Sequence, residues 1–353
     1  MKNNHIFYFD VLRLIAILCV VLLHVTGHLA EIINYNTATI FSLSGIFETF
    51  MNNTTKIGVD LFLLLSGALL LGRQWDIKEF LSKRIPRIVK PFIFWSLIFT
   101  ILLFFASYLI NSINFINDFT IFGFLKLFYD TLICEAPGSA VYWFFWMMFG
   151  VYLIMPVFNR WVSNSNLDEV EYFLVIWIVS TLFEFSLMQK CPIKLSYFTS
   201  PIGLVLLGYY LRNTQRKIFN NTYIALILTI APMIIMLIYS LLMADKSILF
   251  EFHRYSILPI IEVTGLFCLF KSSDILNSPN TFILKITSSV AMCSYGMYLI
   301  HSQLIMVVRK IIPISSNFII EYLILFIVGF IGSWIIILVL SKIPHVDDWF
   351  GVK

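Results

Sequence analysis

FYFDVLRLIAILCVVLLHVTGH, residues 7–28, is an apolar run of helix length that nevertheless carries Asp10, Arg13 and His24. Eleven residues separate Arg13 from His24. At about 100° per residue, that spacing returns to within about 20° of the same helix face, roughly 16 Å further along the axis. One stripe of a membrane-length helix therefore bears a guanidinium near one end and an imidazole near the other. Such a stripe is predicted to face neighbouring helices rather than lipid.

The rest of the chain sets the class. Of 353 residues, 59% are hydrophobic and 12% charged, and the mean hydropathy is +0.89. A soluble domain with a water-facing polar surface is excluded, and the chain reads as an all-α polytopic membrane helix bundle. The net charge of +4 comes without any basic run suited to nucleic acid, so no nucleic-acid partner is expected; the partner of most of the surface is membrane lipid. Cysteines 19, 134, 191, 268 and 293 show neither framework nor metal-ligand spacing, so neither a disulfide nor a metal is expected. The first apolar run is interrupted by Arg13 and ends at TGHLAE without a clean small-x-small site, so it is predicted to be a retained helix, not a cleaved signal.

A bilayer-length window places helices near residues 8–29, 57–72, 88–110, 141–160, 170–188, 197–212, 222–243, 254–271, 287–309 and 317–341. That makes about ten transmembrane helices in a single domain, 1–353, with no linker, repeat or attached soluble domain. The stretch 115–133 is apolar but broken by Asp118, Gly123, Lys126 and Asp130, and is expected to be interfacial or re-entrant. With the N-terminus in the cytoplasm, fifteen Lys and Arg residues fall on the cytoplasmic side and eight outside. The positive-inside bias thus favours both termini in the cytoplasm, with Arg13 toward the inner end of its helix and His24 toward the outer.

Other polar residues then fall at related depths. Asp60, in KIGVDLFLLLSGALL, enters the membrane at about the level of His24, where a carboxylate and an imidazole can pair. Gly58, Ser66 and Gly67 offer small surfaces for close helix approach. In SYGMYLIHSQL, Ser294, Tyr298 and His301 share one stripe. Glu262 lies near the middle of its helix and Glu184 in the outer half of another. A titratable group at these depths costs about 2.5–3.5 kcal/mol if unpaired, so each is expected to face the bundle interior.

FDVLRLIAILCVVLLHV resembles the first helix of the acyltransferase 3 family of integral membrane acyltransferases, in which an arginine, ten residues and a histidine recur. GVDLFLLLSGALL is similar to that family's second-helix segment. FLSKRIPRIVKPFIFW resembles its basic lead into the third helix, with Arg-x-x-Arg at Arg84 and Arg87, and SYGMYLIH its late helix ending in histidine. The resemblance runs in consistent order from about residue 7 to residue 340. It implies transfer of an acyl group, most often acetyl from acetyl-CoA, from the cytoplasmic side to a hydroxyl of a cell-envelope glycan or lipid-linked saccharide, in a bacterial inner or plasma membrane. In that reading Arg84 and Arg87 bind the phosphate-rich donor, with Lys83 and Lys90 close by. Arg13 holds its pantetheine or pyrophosphate end, and His24, oriented by Asp60, is the general base. Ser294, Tyr298, His301 and Glu262 are the candidates for acceptor binding. The chain departs from the family where many members carry a histidine before Leu-Trp-Phe: here Val141 precedes Tyr142, Trp143 and Phe144. No esterase-like domain of the kind that some relatives add is expected.

Each residue has a structural alternative. Asp10, one turn before Arg13, can neutralise it; His24 can sit at headgroup level; Asp60 can be a first-turn acid favoured by the helix dipole; Arg84 and Arg87 can be inner-face anchors; and Ser294, Tyr298 and His301 can pack between helices. The rival from another class is a transporter or exporter of a polysaccharide or lipid-linked saccharide, whose intramembrane charges would line a pathway. Inverted halves with paired broken helices would support it, and the sequence shows none.

Overall fold

A computed structural model describes residues 6–30, 41–109, 118–187, 196–243, 251–273, 280–311, 318–344 and 347–352. Among the described residues every regular element is helical. In chain order these are α1 (Phe7–Ala30), α2 (Leu43–Thr54), α3 (Ile57–Leu70), α4 (Ile77–Leu109), α5 (Ile121–Leu132), α6 (Trp143–Asn164), α7 (Leu167–Thr181), α8 (Ser196–Asn213), α9 (Thr222–Leu242), α10 (Ile257–Ser272), α11 (Thr281–Ile311), α12 (Phe318–Phe326), α13 (Ser333–Leu340) and α14 (Asp347–Phe350). Wide π turns extend α7 through Leu182–Ser186 and join α12 to α13 through Ile327–Gly332.

Each of the ten predicted spans contains a helix, but seven stretches are long and apolar enough to cross a membrane by length and composition: Phe7–His28, Leu43–Leu70, Ile77–Tyr108, Ala140–Asn164, Thr222–Leu242, Thr281–Lys310 and Phe318–Leu340. Among the described residues, seven of the ten expected spans meet this measure of length and composition. The other three fall short for physical reasons. α10 has 16 residues, about 24 Å against a hydrocarbon core of about 30 Å. α7 opens on Asp168, Glu169 and Glu171. α8 has 18 residues but begins with SYFTSP and ends with Arg212 and Asn213. α2 was not expected at all: its sequence, LSGIFETFMNNT, is too polar for a hydropathy window, yet Ser42 caps it by accepting from the Gly45 amide at 3.2 Å and it nearly joins α3. α4 starts eleven residues before its predicted boundary, so Lys78 to Lys90 lie on helix and not in a loop. The stretch predicted as interfacial or re-entrant holds α5, whose cap Thr120 accepts from the Gly123 amide; residues 115–117 lie outside the described residues.

The chain divides into two compact units, Met1–Gln74 with Met155–Ala291, and Trp75–Ile154 with Met292–Lys353. In the first, α3 is the central helix. It buries residues around its whole circumference, from Ile57 and Val59 through Leu61, Leu63, Leu64 and Leu65 to Leu70, as a helix apolar on every side must. Lipid is as apolar as leucine, so helices in a membrane gain by close packing more than by escaping solvent. Glycine provides it: a methyl group at Gly67 would lie 1.6 Å from the Val205 carbonyl oxygen, and one at Gly208 would lie 1.9 Å from that of Leu64. α3 and α8 therefore touch backbone to backbone. On its other side α1 packs through Leu12, Ala16, Ile17, Val20, Val21 and Val25, none more than 2% exposed, with Gly58 of α3 against Ala16 and Val20. α9 presents Leu226, Ile227, Ile230, Ile234, Ile235 and Ile238, each more than two fifths exposed, a surface suited to hydrocarbon.

The second unit packs with aromatic rings. Phe92 of α4 stacks on Phe145 of α6 at 3.7 Å between centroids, and Tyr142 meets Phe92 edge-on at 5.4 Å. Phe99, Leu103, Leu127 and Ala136 bury together where α5 docks on α4, and Thr100 donates to Thr131 at 3.1 Å across that contact. The C-terminal turn tucks back, with Phe350 against Phe94 and the Gly351 carbonyl accepting from the Gly296 amide at 3.3 Å.

Gly67→Leu is expected to destabilise the protein by about 3 kcal/mol or more, because the clash is with backbone that cannot turn away. Gly150→Leu, with nothing within 4 Å of the added carbon, should be tolerated. Gel filtration of the two variants in detergent checks this: Gly67→Leu should lose the monodisperse peak that Gly150→Leu keeps.

Candidate active site

Arg13 and His24 share the α1 face that carries Ile17 and Val20, 0% and 2% exposed, so the polar stripe lies on the packed side of the helix. Arg13 Nη1 donates to Asp10 Oδ1 at 3.3 Å, and Ser288 Oγ donates to Asp10 Oδ2 at 2.7 Å. The cation thus has a counter-charge one turn away, itself held by a second helix, while its side chain stays 35% exposed. His24 is partly buried, and its Nδ1 lies 2.8 Å from the Val20 carbonyl oxygen. A carbonyl only accepts, so Nδ1 carries the proton and the neutral ring presents its lone pair on Nε2. This is the tautomer a general base needs, and it is set by the helix's own backbone.

The expected contact between His24 and Asp60 is not made. Asp60 is 0% exposed, and neither of its oxygens has a hydrogen-bond partner among the described residues. No hydrogen bond from Asp60 orients the imidazole; the Val20 carbonyl does. Glu262 on α10 is 1% exposed, its Oε2 equally without a partner among the described residues, and it lies within electrostatic range of Asp60. Glu184, expected to face the interior, is exposed on the π turn after α7.

The group that reaches both His24 and Asp60 electrostatically is Arg254, in the turn before α10. That turn is strapped to α2 and α3. Asn53 accepts from the Phe252 amide at 3.0 Å while donating to Ser240 Oγ at 3.1 Å and to Thr49 O at 3.1 Å. Lys56 Nζ donates to Glu251 Oε2 at 2.8 Å and to Phe252 O at 3.3 Å. Sequence reading missed Arg254. The available signal was a cation on the side poor in Lys and Arg, directly ahead of an apolar helix.

In the second unit, Arg84 and Arg87 stand one turn apart on α4, Arg84 half-buried and Arg87 exposed. Side chains three apart share a helix face, so the pair can address one phosphate group. Their neighbours are engaged: Lys83 pairs with Glu79 at 2.6 Å, and Lys90 with Asp348 at 3.6 Å. On α11, Ser294, Tyr298 and His301 are 6%, 1% and 0% exposed. Tyr298 donates its hydroxyl to the Val141 carbonyl at 2.5 Å, so the position where the family pattern has histidine serves here as a backbone anchor. His301 Nδ1 lies 2.7 Å from the Tyr298 carbonyl, which fixes the same tautomer as in His24. Among the described residues no group of three or more His, Cys, Asp or Glu is placed to hold a metal.

A family model described as an acyltransferase domain matches residues 6–338. No curated protein and no solved structure matches the chain.

The turn beside Arg254 is predicted to be acid-sensitive. His253 stacks on Phe185 at 4.3 Å, and its Nδ1 accepts from the Tyr255 amide at 3.2 Å. Partial burial, then the charges of Arg254 and Lys56, hold its pKa below the ordinary 6.5. The folded state thus prefers the neutral ring. Its contribution is complete above pH 6.5 and is lost as the pH falls through the lower folded value. Between pH 7 and pH 5 the melting temperature of the wild type should fall more than that of His253→Gln; equal slopes would remove this account.

Proposed function

The chain belongs to the acyltransferase 3 family, matched over residues 6–338, and we propose that it is a membrane O-acyltransferase moving an acyl group, acetyl first among them, from cytoplasmic acyl-CoA to a hydroxyl of a cell-envelope glycan or lipid-linked saccharide. The observation that carries this reading is the tautomer of His24: with Nδ1 donating to Val20 O, the lone pair of the neutral ring is on Nε2, the nitrogen that would take the proton of an attacking hydroxyl.

The chemistry follows from that nitrogen. Nε2 removes the hydroxyl proton as the oxygen bonds to the thioester carbonyl carbon, and the same proton then goes to the departing sulfur. Arg84 and Arg87 hold donor phosphates, Arg13 meets the donor deeper along α1, and Ser294, His301 and Glu262 contact the acceptor. Tyr298, committed to Val141, shapes the packing around His301. A carbohydrate of the bacterial envelope requires its acceptor hydroxyl outside and the donor inside, in keeping with the charge bias that puts both termini in the cytoplasm.

Membranes supplied with radiolabelled acetyl-CoA should transfer label to a glycan. His24→Ala should lower that rate by about 10²–10⁴ with little change in KM for acetyl-CoA. Arg84→Ala and Arg87→Ala should each raise that KM about tenfold, the loss of one charge-assisted contact. Full activity in His24→Ala would sink the mechanism; a wild type that moves the saccharide across the membrane without labelling it would favour transport.

A further inference from the structure

The connection between α5 and α6 puts irregular backbone at membrane depth. From Pro91 to Leu109, α4 carries no charged residue, and this stretch rises about 28 Å, close to the hydrocarbon thickness of about 30 Å. α5 runs along it from its far end to its middle. Phe119, at the head of α5, meets Tyr108 at 5.4 Å, Phe124 meets Phe104 at 5.5 Å, and Thr131 meets Thr100 at 3.1 Å. There the helix stops. Cys134 takes the left-handed conformation at φ 70°, and the Asp130 carbonyl accepts from the amides of Glu135 at 2.8 Å and Ala136 at 3.1 Å. The chain then passes Phe99, 3.2 Å from where a methyl group on Gly138 would lie, and reaches Phe92 with Tyr142.

Charge marks one flank of this half-length helix. Ile121, Phe122, Leu125 and Tyr129 are each more than half exposed and share a face suited to hydrocarbon, while Leu127 and Thr131 pack on α4. Between these faces lie Lys126 and Asp130, four residues apart and so on one side of the helix, and Glu135 follows at the foot. Lys126 and Glu135 are exposed and Asp130 half-buried, and none of the three forms an ion pair among the described residues. Unpaired charge avoids hydrocarbon, and non-helical backbone at this depth occurs where it is buried in protein or lines water. Both conditions call for water beside Glu135, Pro137 and Ala140, the exposed residues of the connection.

We propose that the flank of α5 bearing Lys126 and Asp130 walls a water-filled recess, open at the outer end of α4, that admits the acceptor saccharide as far as Glu135. The inference rests on the acyl-transfer reading above, which supplies a saccharide and places it outside. A carboxylate suits that ligand because each of its oxygens accepts from sugar hydroxyls. The connection is also fixed to α11, where the other candidate acceptor contacts lie. Tyr298 donates to the Val141 carbonyl at 2.5 Å, Met306 Sδ stands 2.9 Å from where a methyl group on Gly138 would lie, and His301 falls between the two along the helix. A sugar held at Glu135 is thereby brought to the stretch of α11 that carries His301.

The test adds a membrane-impermeant methanethiosulfonate to intact cells and compares single-cysteine additions with the background of the native thiols. Such a reagent attacks the thiolate, which forms only where water reaches. Glu135→Cys and Lys126→Cys should label at least about tenfold faster than Leu125→Cys, which the apolar face turns to lipid. Equal, slow labelling of all three would overturn the recess; if Glu135→Cys does not accumulate, the adjacent pair at 125 and 126 decides. In membranes given radiolabelled acetyl-CoA, Glu135→Gln should lower transfer to glycan about tenfold, the loss of charge-assisted contacts, with KM for acetyl-CoA unchanged. Full transfer in Glu135→Gln, or a change confined to that KM, would overturn the acceptor contact even where the thiols label. A wild type that transfers no label fails the acyl-transfer reading itself, and the labelling contrast distinguishes that result from absence of the recess.

Discussion

Inside hydrocarbon a polar side chain has few partners beyond the carbonyls of its own helix, and this constraint runs through the structure. Thr26 donates to Leu22 O, Ser66 to Phe62 O, Thr131 to Leu127 O, Thr264 to Ile260 O and Ser333 to Gly329 O, each one turn back. His24 and His301 follow the same rule with Nδ1. For a hydroxyl the rule satisfies a donor; for an imidazole it also selects which nitrogen keeps a lone pair. The catalytic reading of α1 therefore grows out of ordinary helix geometry, with no third residue needed to orient the ring.

Against that background the unsatisfied groups stand out. Asp60, Glu262 and Ser256 all lie within 1% exposure and leave oxygens unpaired among the described residues. They belong to the first unit, whose helices approach through glycine, as at Gly67 and Gly208. Tight backbone contact leaves little latitude for side chains to rearrange. Groups that local packing does not satisfy are better explained by something that visits than by slack in the fold.

Much of the fold could be read from hydropathy and spacing, because bilayer thickness ties apolar length to helices. The α1 stripe was legible for the same reason: an eleven-residue separation returns to one face. Three things were not. α2 escaped because Glu48, Asn52 and Asn53 make it polar, although Glu48 and Asn53 end up buried. Pairing of His24 with Asp60 was inferred from depth, which fixes the coordinate along the membrane normal and leaves the rotation of each helix open. Arg254 could not be singled out because its position depends on Asn53, about two hundred residues away in the chain, accepting from the Phe252 amide.

The bond from His24 Nδ1 to the Val20 carbonyl has one further consequence. A ring that passes protons onward must take one at one nitrogen and release one from the other, but a carbonyl has no basicity with which to accept the second. The histidine is a cul-de-sac: whatever Nε2 collects must leave by Nε2. A membrane acyltransferase with such a base can thus cycle it without opening a leak for the electrochemical gradient across the bilayer.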